Sequence, residues 1–452
     1  MTMSTRGAAA LAATTLTAAV LAVVIVAPTA TEPGGCAPGA ACPGALPGAT
    51  PAPSSPRFVT GISSIAPSPT GASTGPSTAT STPTPGPTPT PSATSTSAPP
   101  VVDTSPAGRA RTVFAAMTRA QRIGQLFMVG NAATGVETST LAAISAYDIG
   151  NVMLRGRSSA GVAATARVSA ALGRSVTKAT GVRAFVATDE EGGAVSVLSG
   201  PGFDAIPSAL TQGTWSVAGL RTSANRWGAQ LRQAGVNLDL APVLDVVPSA
   251  AAARLNPPIG AFNRQYGYTT ATVSAHGIAF LTGLSASGVD SAVKHFPGLG
   301  RVNENTDTSP SVTDAMTTRG DPYLAPFQNA VNAGAAFLMV SSAYYSRIDP
   351  KNPAAFSSTI VTGMVRGDLG FRGVVISDDL GNARQVAAWS PGSRAVKFLA
   401  AGGDMVLTVN TALVPAMVKA VAARARTDAA FARLLNASAL RILTAKAVRG
   451  LL

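Results

Sequence analysis

The chain has 452 residues, 46% hydrophobic and 12% charged, an average that describes neither a disordered protein nor a multi-span membrane protein. Its formal charge is +13, yet residues 1–107 hold only Arg6, Glu32, Arg57 and Asp103, so the basic excess lies wholly in residues 108–452. Two cysteines exclude a disulfide scaffold or a cysteine-rich metal cluster, and two histidines, His276 and His295, leave little room for a multi-histidine metal centre. Only six of the 34 positive residues are Lys, and they are scattered without a basic run or interleaved aromatics. That pattern argues against nucleic acid and fits contact with an anionic cell envelope.

From Ala8 to Ala27 the chain carries no charge, a length between that of a long signal-peptide core and a single membrane span. Residues 1–31 are therefore expected to be an export signal or a retained membrane anchor. Cys36 is a candidate lipid acceptor, or the partner of Cys42 in a small disulfide of an oxidising compartment. Residues 32–108 are rich in Pro, Ser, Thr, Ala and Gly, and they bury too little apolar surface to offset the entropy of ordering. They are expected to form a disordered linker, stiffened toward polyproline II. The folded domain, residues 109–452, is accordingly expected outside the cell or in its envelope.

Beyond Arg109, short apolar runs alternate with helical stretches. The runs are Gln125–Gly130, Asn151–Arg155, Ala184–Asp189, Val236–Pro242, Ser291–Phe296, Ala336–Ser341, Gly373–Asp379 and Asp404–Val409. Each is dominated by branched or aromatic residues, as buried parallel strands are. Helical patterns such as residues 222–235 and 271–288 lie between them, the second stopping at Gly288. Eight such units predict an α/β fold closed as a (β/α)8 TIM-type barrel, with an open doubly wound sheet as the alternative. No G-x-G-x-x-G follows a strand, which disfavours dinucleotide binding.

A barrel gathers its active site at the C-terminal ends of its strands. Polar residues cluster there: Asp189-Glu190-Glu191, Asp245, Lys294-His295, Ser341-Ser342 and Asp378-Asp379. A single acidic residue at a strand end is usually a cap for the next helix. Carboxylates, a Lys and a His on five ends suit acid/base or nucleophilic chemistry on a polar substrate such as a sugar.

The segments IGQLFMVG (123–130), DEEGG (189–193), AVKHFPGLG (292–300) and GVVISDDLG (373–381) resemble glycoside hydrolase family 3, most closely the single-barrel bacterial β-N-acetylglucosaminidase type. The resemblance spans essentially all of residues 110–452. It implies that Asp378 is the nucleophile forming a covalent glycosyl-enzyme intermediate, with Asp379 in a supporting or capping position. It further implies that Lys294, His295 and Asp189 bind sugar hydroxyls, and that Arg264 in PIGAFNRQYG contacts the sugar, although the spacing after Ile259-Gly260 is two residues longer than usual. Three departures stand out. The loop after KHFPG reads RVNENTDTSP, with Asn305, Thr306 and Asp307 where the family's Asp-Ser-His carries the acid/base histidine. DEEGG is followed by Ala194 and Val197 where arginines are common, and MVSSAYY lacks the usual histidine near Ser342.

Asp307, or Glu304 before it, could protonate the leaving group if desolvation raised its pKa. The expected function is an exported retaining β-glycosidase acting on N-acetylglucosamine-containing, cell-wall-derived glycans, with Asp378 as nucleophile and Asp307 as acid/base. The alternative is a catalytically impaired family 3 barrel that binds such glycans. Neither requires a metal or an organic cofactor, and the chain is expected to be a monomer.

Overall fold

A computed structural model of the chain describes Gly86 and residues 103–452. The leader, Cys36, Cys42 and nearly all of the linker lie outside the described residues. Helix Pro106–Ala116 starts three residues before the boundary expected at Arg109, because Ser105 caps it: the Ser105 hydroxyl accepts from the Gly108 N–H at 3.0 Å, and Pro106 sits where no backbone donor is needed.

The eight expected runs become eight parallel strands: β1 Phe127–Ala132, β2 Asn151–Arg155, β3 Phe185–Thr188, β4 Leu238–Asp239, β5 Asp290–Phe296, β6 Phe337–Val340, β7 Val374–Ser377 and β8 Val406–Thr408. They follow the order 7-6-5-4-3-2-1-8. Hydrogen bonds from Ser377 N–H to the Met405 carbonyl and from Met405 N–H to the Val375 carbonyl, both 3.0 Å, join β7 to β8 and close the barrel. Closure rules out the open sheet. The strands are buried because each faces the barrel interior on one side and a helix on the other. Phe185 and Phe337, from β3 and β6, meet edge to face at 5.0 Å within the core.

Strand β4 is two residues long where seven were expected. Regular pairing lapses after Asp239, over a stretch in which Pro242 has no N–H for the ladder, and resumes at Val243 opposite Lys294, where Leu244 N–H donates to the Lys294 carbonyl at 2.6 Å. The helices at residues 222–235 and 271–288 are Val217–Gln233 and Thr270–Ser287. The latter ends at Gly288 in the left-handed conformation (φ 89°), which only glycine adopts freely.

The C-terminal helix Ala429–Val448 lies across the N-terminal end of the barrel. Along its length Ser438 Oγ donates to the Gly403 carbonyl, Arg441 pairs with Asp404 at 3.0 Å, and Arg449 pairs with Asp290 at 2.5 Å. Helix Pro106–Ala116 packs beside it, with Arg109 donating to the Ala447 carbonyl at 2.8 Å. Beneath β1 and β2, Lys446 is fully buried, donating to Gln125 Oε1 at 2.7 Å and the Gly150 carbonyl at 2.9 Å, with no carboxylate among its hydrogen-bond partners.

Burial pushes the Lys446 ammonium down to about 7. The unfolded chain holds that proton to about pH 10.4, so between these values it binds more protons than the folded chain and stability rises with pH. Lys446→Met removes this term. The stability difference between parent and variant is expected to move in the parent's favour as pH rises from 7 to 9, by up to about 1.4 kcal/mol per unit. Urea unfolding at the two pH values measures it; a difference that stays constant would mean the burial penalty is absent.

Candidate active site

Asp189 follows the last residue of β3 and begins a tight hairpin, in which Glu190–Gly192 pairs antiparallel with Val195–Ser196. The hairpin folds Glu191 back beneath Asp189, so both carboxylates meet Lys294 on β5. Lys294 Nζ lies 2.6 Å from Asp189 Oδ1 and 2.6 Å from Glu191 Oε1. Glu191 also grips Arg264 in a two-pronged pair, Nε to Oε2 at 2.7 Å and Nη2 to Oε1 at 2.6 Å. Arg264 reaches the site from a loop 25 residues beyond β4, fixed there by its own Nη1 donating to the Pro258 carbonyl at 2.7 Å. The two extra residues in this loop therefore leave the guanidinium in the mouth of the barrel.

Burial opposes the charge on Glu191, Arg264 and Lys294, but the partners outweigh it. Glu191 is held down to about 2 by Arg264 and Lys294, and both cations are held above their ordinary values by the facing carboxylates. Asp189 is the member of the network with the most exposed side chain, at 23%. A sugar hydroxyl entering the mouth would meet Asp189 first, oriented by a cation that cannot turn away.

His295 Nδ1 donates to Asp245 Oδ2 at 2.7 Å, while Asp245 Oδ1 accepts from the backbone N–H groups of His295 and Leu299. That contact fixes the Nδ1–H tautomer and aims Nε2 at the pocket, 3.4 Å from Arg264 Nη2. The KHFPG turn is further held by buried Tyr345, whose hydroxyl donates to the Gly298 carbonyl at 2.8 Å. His276 lies elsewhere, between the carbonyls of Thr272 and Trp215 at 2.9 and 3.0 Å, and belongs to the packing of its helix.

Asp378 stands one residue past β7 and lines the cavity, half-buried, with its Oδ1 accepting from the Asp379 N–H at 2.8 Å. Asp379 is occupied differently. It accepts from Gly381, Asn382 and Val409 N–H groups, tying the loop after β7 to the end of β8. A supporting position for Asp379 agrees with these contacts.

The Asn305-Thr306-Asp307 loop arches over from β5 and is clasped to the segment that follows Asp378. Arg384 N–H donates to the Asp307 carbonyl at 3.2 Å and Gln385 N–H to that of Thr306 at 3.0 Å. Buried Gln385 also bonds both backbone groups of Val312, at 2.8 and 3.2 Å. The packing of this loop and repulsion from Asp378 push the Asp307 carboxyl up to about 6, against the pull of His295 and Arg264. The Asp307 side chain is exposed at the rim of the pocket, with the Asp378 charge among the groups that raise it. Glu304 is exposed and does not line the cavity.

All six residues singled out from the sequence, Asp189, Arg264, Lys294, His295, Asp307 and Asp378, thus line one cavity of about 470 Å³ at the C-terminal end of the strands. Its outer wall is apolar, built from Ala194, Val195, Pro258 and the half-exposed ring of Phe262. Three further residues were given no individual role from the sequence, although Glu190 and Glu191 stand in the strand-end cluster. Glu191 is visible in DEEGG, but its contacts depend on the hairpin. Gln385 carries no motif at all. Glu190 is pushed up to about 7 by burial, although it accepts from Ser196 Oγ at 2.6 Å and from Val197 N–H at 2.8 Å.

The "Glycosyl hydrolase family 3 N terminal domain" profile matches residues 118–445. Among solved structures, the β-N-acetylhexosaminidase of Beutenbergia cavernae is 51% identical with a TM-score of 0.72, the match covering 74% of this chain and 98% of that one. Among curated relatives, the β-hexosaminidase of Xanthomonas campestris is 32% identical over 57% of this chain and 77% of its own length. The β-hexosaminidase of Xylella fastidiosa is 31% identical over 70% of this chain and 92% of its own length. With a closed barrel, a carboxylate-lined mouth and a profile match across most of its folded part, the chain belongs to glycoside hydrolase family 3.

Proposed function

We propose that the protein is a retaining β-N-acetylhexosaminidase that cleaves N-acetylglucosamine-containing glycans through a glycosyl-Asp378 intermediate, with Asp307 as its acid/base. The observation that carries this reading is that Asp307 and Asp378 line one cavity and that Asp378 helps to raise Asp307. Retaining chemistry uses one ionised carboxylate as nucleophile and one protonated carboxyl as acid, separated by environment. Asp189, Lys294, His295 and Arg264 would hold the sugar ring so that its anomeric carbon faces Asp378. Asp307 would protonate the departing oxygen, then take the proton from the water that releases the sugar. The apolar wall at Ala194 and Phe262 suits the face of the leaving sugar rather than an anionic group. The leader and linker sequences support export and action on cell-wall fragments, by a monomer held at or beyond the envelope.

The missing histidine favours a second reading, in which the barrel binds glycan fragments without turning them over. The two separate on release of p-nitrophenol from its β-N-acetylglucosaminide by residues 103–452. Hydrolysis that disappears in Asp378→Ala is the expected outcome; no turnover by the parent, with N-acetylglucosamine still raising its melting temperature, supports the binder.

Asp307→Ala should lower kcat/KM by about 10²–10⁴-fold on a disaccharide whose leaving group needs protonation, and less on the p-nitrophenyl substrate. Added azide should restore turnover of the activated substrate and give a β-glycosyl azide. An unchanged rate would remove Asp307 from the mechanism.

The protonated form of Asp307 is the acid, so kcat/KM on the disaccharide should fall as pH rises through about 6. The limb belongs to the Asp307–Asp378 pair, and Asp307→Ala should abolish it. A basic limb at the same pH in the variant would assign it to another group.

A further inference from the structure

The charge of this barrel is divided between its two ends. Segments at the catalytic end (residues 133–137, 155–160, 189–207, 239–264, 294–321, 341–358 and 378–394) carry 11 Lys and Arg against 14 Asp and Glu. Segments at the opposite end (103–126, 147–150, 180–184, 232–237, 287–290, 333–336, 368–373, 401–405 and 424–452) carry 13 against six. The catalytic end is therefore net −3 and the end away from the substrate net +7, while the segments around the barrel's flank add eight cations and no carboxylate. Several of its cations have no internal role: Arg183, Arg372, Arg426 and Arg433 are exposed and form no ion pair or side-chain hydrogen bond among the described residues.

Apolar side chains stand among these cations. On the C-terminal helix, Leu434, Arg441 and Val448 are spaced seven apart and so share one stripe. Leu434 is 42% and Val448 65% exposed, unusual for large apolar residues on a helix whose other side is in the core. Beside the stripe opens a cavity of about 380 Å³, lined by Leu440, Val448 and Ala107 with the cations Arg111, Arg372 and Arg441, and with Asp290, whose carboxylate is taken up by Arg449. A hydrated polyanion would be met by the arginines alone and has no use for exposed Leu and Val. Arginines interleaved with apolar side chains match the interface of an anionic bilayer, where guanidinium groups meet phosphates and apolar groups enter the acyl boundary.

We propose that the N-terminal end of the barrel is a docking surface for anionic phospholipid bilayers, which directs the active site away from the membrane. The described chain also enters the barrel at this end, where Asp103 pairs with Arg111 at 3.2 Å. The surface is independent of the catalytic reading, since no residue of the active-site cavity belongs to it.

The test uses residues 103–452, a closed barrel with its own core, so that the apolar leader contributes nothing. Co-sedimentation compares vesicles of phosphatidylcholine with vesicles containing one-third phosphatidylglycerol, at roughly 0.05 and 0.5 M salt. Binding at least about tenfold tighter to the anionic vesicles, lost at high salt, is expected from several cations meeting the surface. The double variant Arg372→Glu/Arg433→Glu should weaken it a further tenfold or more. Leu434→Ser/Val448→Ser should weaken it about threefold or more while leaving the melting temperature and p-nitrophenol release unchanged. Equal affinity for neutral and anionic vesicles overturns the proposal. So does binding to soluble poly(glycerol phosphate) that matches the vesicle binding and ignores the Leu434/Val448 variant, which would assign the surface to a wall polymer. The salt and lipid comparisons on the parent chain decide the matter even if a variant fails to fold.

Discussion

Four ionised groups, Asp189, Glu191, Lys294 and Arg264, share one nearly buried network at the mouth of the barrel, and the rest of the site hangs on it. Charges this deep are tolerated only when paired, and removing one partner from such a pair typically destabilises by about 3–5 kcal/mol. The network joins the hairpin after β3, the middle of β5 and the long loop after β4. Whatever else this sequence varies, these segments must stay in register. The second anchor, Asp245 on His295 Nδ1 and two backbone N–H groups, holds the turn from which the Asp307 loop departs. The polar lining of the mouth and the placement of the loop therefore rest on the same buried polar framework.

The framework also holds the loop of Asn305, Thr306 and Asp307, where the resemblance to family 3 leads to the expectation of a histidine. The loop that would bear it is clasped to the β7 side by Gln385 and Arg384, which places a carboxyl in the field of Asp378. Burial in the packed loop and the charge of Asp378 together raise that carboxyl. At the far end of the barrel the logic is reversed: cations there are mostly exposed, and one of the few buried, Lys446, sits among neutral acceptors.

Much of this was legible in the sequence, for physical reasons that differ by element. The eight strands announced themselves because both faces of each are buried, giving unbroken apolar runs. Their ends fell within a few residues of expectation except at β4, where regular pairing lapses after Asp239. Asp189, Lys294, His295 and Asp378 were legible because each lies at a strand end within a recognisable motif, and Arg264 and Asp307 because they occupy its expected neighbourhood. The pairing of Glu191, the role of Gln385 and the polarity of the two barrel ends were not. Their meaning depends on which distant segments the fold brings together, Gln385 with Val312 across 73 residues and the C-terminal helix across the strand starts.

The central claim is that Asp378 forms a bond to the sugar. The direct measurement is peptide mass spectrometry after incubation with the 5-fluoro glycosyl fluoride of N-acetylglucosamine, whose ring fluorine slows both formation and release of the intermediate while its fluoride leaving group keeps formation the faster step. One stoichiometric glycosyl adduct is expected, on the peptide containing Asp378 and at that residue. An adduct on another carboxylate, or none while the compound is turned over, would contradict the claim.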